Sequence, residues 1–236
     1  GVIDTGAPIT MTVQDSCFDP GKMSNAIPLM HELELRSLIN RLPDQASVVP
    51  QVSQSQERCE TCYIKTMQEI DALLPVLLNA KAIALVLDET LALAVNEKTQ
   101  YEIVLSATLI EQGLDRTSVL QALKPVLESQ NILKIVFDAK RYMHILCDEQ
   151  VELKDPLFDA MIADYLLHAI HPASTLKTLL AERLAVKPEN SAVLLLKLYG
   201  MMDSELREKE LISLYNEVEL PLISVLFNME REGFLV

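Results

Sequence analysis

Cys59 and Cys62, spaced as C-x-x-C, are the first residues whose types and spacing could do chemistry. Such a pair holds zinc when a second ligand pair completes the site, or exchanges thiol and disulfide states when it lies between a strand and a helix. The chain has 4 Cys and 4 His, too few cysteines for a disulfide scaffold. His168 and His171 are too close together for the H-x₃₋₅-H spacing of a zinc site. The pattern favours incidental thiols over a zinc or redox site.

The composition limits which partners the chain can bind. Among its 236 residues, 50% are hydrophobic, so a sizeable core is expected. The net charge of −14, the lack of Trp and the 5% of aromatic residues argue against a domain that grips nucleic acid by itself. Since no apolar run reaches the length of a membrane span, we expect no membrane contact.

The first quarter of the chain differs in composition from the rest. Residues 1–25 carry scattered Gly and Pro and predict irregular structure, while 25–42 have the apolar periodicity of a helix. Residues 44–60 are rich in Ser and Gln, which is typical of a linker. We therefore expect a helical and irregular extension before the main domain.

Beyond the linker, the pattern predicts an α/β domain. A short strand over 62–65 precedes a helix that opens with the capping box Thr66-x-x-Glu69. Three strands and a helix follow, then the apolar strand 132–137, a helix capped by Asp138, and a run of helices. The predicted strands are 82–88, 91–96 and 101–105, and the further helices are 116–128, 158–168, 175–184 (capped by Ser174) and 191–232, interrupted at Gly200 and Pro221. This order is that of a mixed sheet flanked by helices in a ribonuclease-H-like fold.

Several segments resemble the family A bacterial DNA polymerases (DNA polymerase I). Residues 216–233, N-E-V-E-L-P-L-I-S-V-L-F-N-M-E-R-E-G, are similar to the stretch where the 3′–5′ exonuclease-like domain passes into the polymerase thumb. Residues 137–141, F-D-A-K-R, resemble the second exonuclease motif, and 158–167 resemble the segment after it. Residues 32–42 resemble the tail of the preceding 5′-nuclease domain.

The resemblance implies a piece of a longer enzyme. Its parent is a DNA-directed DNA polymerase of replication and repair, cytoplasmic and associated with the bacterial nucleoid. Its polymerase domain would use Mg²⁺ and bind DNA, whereas this piece needs no cofactor and contacts DNA weakly or not at all. The implied divisions are a 5′-nuclease tail over 1–43, a linker over 44–61, an exonuclease-like domain over 62–210 and a helix toward the thumb over 211–236.

The active exonucleases of this family hold two divalent metals with four carboxylates, and this chain departs from their motifs. In the first motif, D-x-E, Asp88 is kept but Thr90 replaces the Glu. In the second, Tyr142 replaces the metal-binding Asp, and in the third the Asp falls near Asn190. The resemblance thus predicts a degenerate site at Asp88, Thr90, Tyr142 and Asn190, without metal and without catalysis.

Two alternatives stay open. An active exonuclease could use relocated carboxylates at Asp88, Glu89, Asp159 and Asp203; Asp203 closes a literal Y-x-x-x-D with Tyr199, which lies too near Pro221 for the family spacing. A non-enzymatic interaction module could instead use methionine-bearing helices around Met201, Met202 and Met229. The weak metal candidates are accordingly Asp88, Asp159 and Asp203.

Overall fold

The computed structural model describes residues 30, 59–88, 90–106, 113–170, 172–184, 186 and 189–233. The chain divides into two units, Gly1–Gln56 and Glu57–Val236, and the fold below is that of the second. The predicted irregular start, the helix over 25–42 and most of the linker fall outside the described residues.

The centre of this unit is a mixed sheet with the spatial order β1-β4-β3-β2-β6-β7, in which β5 adds to β4. Strands β2, β6 and β7 are mutually parallel, β3 is antiparallel to both β2 and β4, and β1 and β5 pair in parallel with β4. The strands are β1 (Glu60–Ile64), β2 (Ala82–Leu87), β3 (Thr90–Ala94), β4 (Thr99–Ser106), β5 (Leu114–Asp115), β6 (Leu133–Val136) and β7 (Leu157–Asp159).

Both faces of the sheet are covered, as its apolar strands require. Successive residues of β2 belong alternately to two hydrophobic clusters: Leu85 and Leu87 pack into one, and Ala84 and Val86 into the other. A strand that buries both faces needs apolar residues without alternation, which explains the run A-I-A-L-V-L.

Eight helices and one π-helical turn of the described chain cover these faces. They are α1 (Met67–Leu78), α2 (Arg116–Leu127), α3 (Ala139–Asp148), α4 (Ala160–Leu167), α5 (Leu176–Leu184), α6 (Ser191–Glu208), α7 (Ile212–Leu214), the π-helical turn Tyr215–Glu219 and α8 (Leu220–Glu232). Within the described part, no helix is both long and apolar enough to cross a bilayer.

Local sequence signals place the helix starts correctly in most cases. The capping box of α1 forms with both of its hydrogen bonds, between Thr66 and Glu69. Asp115 accepts the N–H of Ser118 at the start of α2, at 2.8 Å. Asp138 caps α3, as expected, while its own φ of 66° is left-handed, a conformation that Asp tolerates better than most residues.

The structure corrects the predicted elements at four places. The predicted helix over 158–168 is the short strand β7 followed by α4, because residues 157–159 pair with β6. Thr175, not Ser174, accepts the N–H of Thr178 at the start of α5, at 3.1 Å. Gly200 lies inside α6 and does not interrupt it. Strand β5 was not predicted, and Gly113 precedes it because a Cβ there would lie 2.9 Å from the carbonyl oxygen of Val104.

Candidate functional site

The carboxyl ends of three parallel strands bring the motif residues to one edge of the sheet. Asp88 follows β2, Asp138 follows β6 by two residues, and Asp159 is the last residue of β7. Because β2, β6 and β7 run in the same direction, these three positions share the edge at which α/β sheets usually hold ligands.

Asp88 is turned toward solvent and is paired with a cation. Its side chain is 59% exposed, and its Oδ1 lies 3.1 Å from the guanidinium of Arg141. Its backbone N–H donates to the carbonyl of Thr90 at 3.0 Å across the tight β2–β3 turn. Asp88 therefore follows β2 while Thr90 begins β3, and the Asp88 carboxylate is paired with Arg141.

Tyr142, which the resemblance predicts at the position of a metal-binding carboxylate, lies in the first turn of α3. It is 2% exposed, and its hydroxyl oxygen accepts the backbone N–H of Leu87 at 3.1 Å. Burial raises the pKa of Tyr142 to about 12, so the phenol is neutral at physiological pH. A neutral, buried phenol offers a divalent cation no anionic oxygen.

Asp159 is buried, and backbone groups occupy its carboxylate. Oδ1 accepts N–H bonds from Asp138, Met161 and Ile162 at 2.9–3.3 Å, and Oδ2 accepts one from Ala139 at 2.7 Å. Burial raises the pKa of Asp159, and these backbone donors act against that shift. The side chain caps α4 and also accepts hydrogen bonds at the start of α3, so both of its oxygens are occupied by backbone donors.

Tyr215, a residue that sequence reasoning missed, completes this buried corner. Its hydroxyl accepts the N–H of Asp159 at 2.7 Å and donates to the carbonyl of the same residue at 3.1 Å. Tyr215 is 1% exposed, and burial raises its pKa. The local sequence pattern does not predict this role, because the role depends on the π-helical turn that begins at Tyr215 and brings its ring to β7.

Asn190 is not brought to this edge. It precedes α6 and its Oδ1 accepts the hydroxyl of Thr61, near the start of β1, at 2.9 Å. Three strand spacings and a register offset separate that point from the end of β2, a distance on the order of 15–20 Å. The structure therefore unites Asp88, Thr90 and Tyr142 and leaves Asn190 at the other end of the strands.

Asp203 lies near the end of α6 and is engaged elsewhere. Its two carboxylate oxygens accept hydrogen bonds from Nε and Nη2 of Arg207, one turn later, at 2.8 and 3.1 Å. Tyr199, its partner in the literal Y-x-x-x-D pattern, packs edge-on against Phe158 with ring centroids 4.8 Å apart. Asp203 therefore belongs to a surface ion pair, and Tyr199 to an aromatic packing contact.

The side chains at this edge do not fit a two-metal centre. Two cations need several carboxylates turned toward one point, whereas Asp88 faces Arg141 and Asp159 faces backbone N–H groups. Across the described residues, no group of three or more His, Cys, Asp or Glu side chains is placed to hold a metal ion. Glu89 lies outside them.

The C-x-x-C cysteines do not form a paired site. Cys59, Cys62 and Cys147 are free thiols. Cys59 packs against the cluster on the α6 side of the sheet, and burial raises its pKa. Cys62 lies three residues further on, in β1, and is near enough to Cys59 to contribute to the raised pKa of that thiol.

Comparison with known proteins supports the fold and the family. Residues 96–187 match a family described as the ribonuclease H-like domain of DNA polymerase I. A DNA polymerase I from Caldicellulosiruptor bescii is 34% identical over 128 residues, which are 51% of this chain and 15% of that relative.

Solved structures share the architecture at low identity. The POL domain of Pol1 from M. smegmatis, in complex with DNA primer-template and dNTP, has a TM-score of 0.59 at 22% identity and covers 75% of this chain and 33% of that one. Escherichia coli RNase D has a TM-score of 0.55 at 16% identity, covering 72% and 51%. Brucella melitensis NrnC with bound Mg²⁺ has a TM-score of 0.53 at 15% identity, covering 75% and 94%.

These likenesses agree with the strand order of the sheet. The chain spans 15% of the length of the curated relative given above. Over residues 96–187 it is similar to the ribonuclease H-like domain of DNA polymerase I, and the described domain has the fold of such exonuclease-like domains.

Proposed function

We propose that this domain is a catalytically silent 3′–5′ exonuclease-like domain that serves as a scaffold within a DNA polymerase I. One observation carries the proposal: a buried, neutral Tyr142 stands where the second motif needs a carboxylate, and it is hydrogen-bonded to the backbone of β2. The ion pair of Asp88 with Arg141 supports it, since it neutralises the carboxylate that the first motif retains.

The charge of the chain supports a scaffold rather than a DNA-binding surface. A net charge of −14 repels phosphates, and DNA-binding surfaces need clustered Lys and Arg. In this proposal, DNA contact, Mg²⁺ chemistry and nucleotide transfer belong to a polymerase domain of the parent enzyme. The parent acts in replication and repair in the bacterial cytoplasm, at the nucleoid.

The competing proposal is an active exonuclease with relocated ligands. It requires Asp88, Glu89, Asp159 and Asp203 to converge on metal ions. Asp159 accepts four backbone N–H bonds and Asp203 holds Arg207, so each would have to give up its present partners first.

A nuclease assay separates the two proposals. The 236-residue chain is incubated with single-stranded DNA labelled at its 5′ end, with Mg²⁺ or Mn²⁺ and without nucleotides. We expect no shortening beyond that of the Asp88→Ala variant. Metal-dependent loss of 3′ nucleotides that disappears in Asp88→Ala, but persists in the exposed control Asp71→Ala, would establish the active exonuclease.

The interaction module unrelated to polymerases has less support. Its methionines divide between the core and the surface: Met202 is fully buried, whereas Met201 and Met229 are 46% and 45% exposed. The ribonuclease-H-like strand order and the family match support a domain related to the polymerases instead.

A further inference from the structure

Helix α3 carries the degenerate second motif and is held on two sides. We propose that it couples the end of β2 to the last helix, α8, and so fixes the direction in which α8 leaves the domain. This deepens the scaffold role proposed above by naming the residues that transmit it: Tyr142 and Arg141 toward the sheet, and Lys140 and His144 toward Glu230.

The sheet side of α3 is fixed at the end of β2. Tyr142 accepts the Leu87 N–H inside the core, and Arg141 reaches Asp88 outside it. The two contacts join consecutive residues of the helix to consecutive residues of the strand end. Rotation or sliding of α3 would break both contacts and would leave the buried N–H group of Leu87 without an acceptor.

The outer side of α3 holds Glu230 between two side chains one turn apart. Its Oε1 lies 2.7 Å from Nζ of Lys140, and its Oε2 lies 2.8 Å from Nε2 of His144. Hydrogen bonds from both partners lower the pKa of Glu230, and the larger effect comes from Lys140. Glu230 is therefore a carboxylate at neutral pH. The His144 ring also packs edge-on against Phe227, with centroids 4.8 Å apart.

The spacing of the contacts along the last helical segment explains why Glu230 controls direction. Tyr215 ties its start to Asp159, and Ile223 is buried in the middle. Glu230 follows Tyr215 by fifteen residues, which is roughly 20 Å of helix. A contact at the far end of a lever of that length restricts its angle far more than a contact near the pivot.

The remainder of this segment gives little competing support. Leu222, Val225 and Met229 are 41–52% exposed, so this stripe of α8 makes few contacts within the described domain. The outer half of α8 therefore depends on its contacts with α3.

Hydrogen exchange of the 236-residue chain, resolved to peptides by mass spectrometry, tests the coupling. We expect Glu230→Gln to speed the exchange of amides 224–232 by about fivefold, the scale of a small ion-pair network, without changing β2. We expect Tyr142→Phe to speed exchange in α3 and also in 224–232, although the hydrogen bond that it removes is to β2.

Two exposed residues supply matched controls. Glu232→Gln removes a charge from the same turn of α8, and Tyr165→Phe removes a hydroxyl that is half exposed; neither should change exchange in 224–232. If Tyr142→Phe does not fold, the surface variants Lys140→Gln and His144→Gln are each expected to raise exchange in 224–232.

The outcome that overturns the coupling is faster exchange confined to α3 in Tyr142→Phe, together with unchanged exchange of α8 in Glu230→Gln. That result would leave the silent site intact. A metal-dependent nuclease activity would instead overturn the silent site and leave the exchange measurement standing, so the two proposals fail separately.

Discussion

The hydroxyl of Tyr142 and the backbone N–H of Leu87 form a buried hydrogen bond of 3.1 Å between residues 55 positions apart. It joins the helix of the second exonuclease motif to the strand of the first. The resemblance to DNA polymerase I predicts a metal-binding carboxylate at the position of Tyr142 in active exonucleases. Here the same position satisfies a backbone donor at the end of β2.

Tyr142→Phe should lower the free energy of unfolding by about 1–3 kcal/mol, because it leaves the Leu87 N–H buried without its acceptor. Urea denaturation followed by circular dichroism measures this. Tyr165→Phe, at an exposed tyrosine, should differ from the wild type by less than about 0.5 kcal/mol. Equal midpoints for the two variants would show that the Tyr142 hydroxyl is not needed.

Asp159→Asn should cost about 2–3 kcal/mol, because one carboxylate oxygen that accepts backbone N–H bonds becomes an amide NH₂ that cannot. Asp203→Asn, which weakens a surface pair with Arg207, should cost no more than about 1 kcal/mol. Thermal melts of both variants give the comparison. If Asp159→Asn is as stable as Asp203→Asn, the capping role of Asp159 is wrong.

Val136→Asp should abolish folding, since Val136 is fully buried in β6 and an unpaired buried carboxylate is very costly. Val86→Asp, in β2, should do the same. The matched control is Val104→Asp at a position that is 45% exposed. Soluble yield and the near-ultraviolet dichroism of the tyrosines report the outcome, and a folded Val136→Asp would contradict the position of that strand.

Asp88→Asn should change stability by less than about 1 kcal/mol, because the pair with Arg141 is more than half exposed on both sides. In the parent polymerase that we propose, it should leave nucleotide incorporation unchanged. A primer-extension assay of that enzyme checks this, and a clear loss of activity would show that Asp88 still serves catalysis.

Lys134 should make the free energy of unfolding change with pH in the alkaline range. It is 1% exposed, its Nζ donates to the carbonyl of Ser129, and burial lowers its pKa from 10.5 to about 8. Between these values the unfolded chain binds more protons than the folded chain, so this lysine adds stability as the pH rises from 8 toward 10.5.

Comparison with Lys134→Met isolates that effect, because other groups titrate alike in both proteins. From pH 7.5 to pH 9.5, the stability of the wild type should rise relative to the variant in urea titrations. A constant difference across this range would mean that Lys134 has the same pKa in both states.

Most elements follow from local sequence. The apolar runs of β2 and β6 and the capping groups Thr66, Asp115 and Asp138 mark strands and helix starts within a few residues. Strand β7 escaped prediction because three residues carry no period, and their pairing partner, β6, lies more than twenty residues earlier.

The candidate site was predicted only in part, for the same reason. The D-x-E spacing is typical of two side chains on one strand face, but here Asp88 follows β2 and Thr90 begins β3. Asn190 lies at the opposite ends of the strands, although motif counting brings it to the site, because distance along the chain does not fix how α6 crosses the sheet.

The sequence by itself determined the α/β pattern and which chemical groups are present: Asp88, and a threonine and a tyrosine at positions where the resemblance predicts carboxylates. Only the tertiary structure decided what those groups do. Tyr142 accepts a hydrogen bond from the Leu87 N–H, Asp159 accepts four from backbone N–H groups, and Tyr215 accepts one from the Asp159 N–H. Apart from the bonds of Asp159 with Met161 and Ile162, these hydrogen bonds join residues distant in sequence. They form because burial makes every unpaired polar group costly.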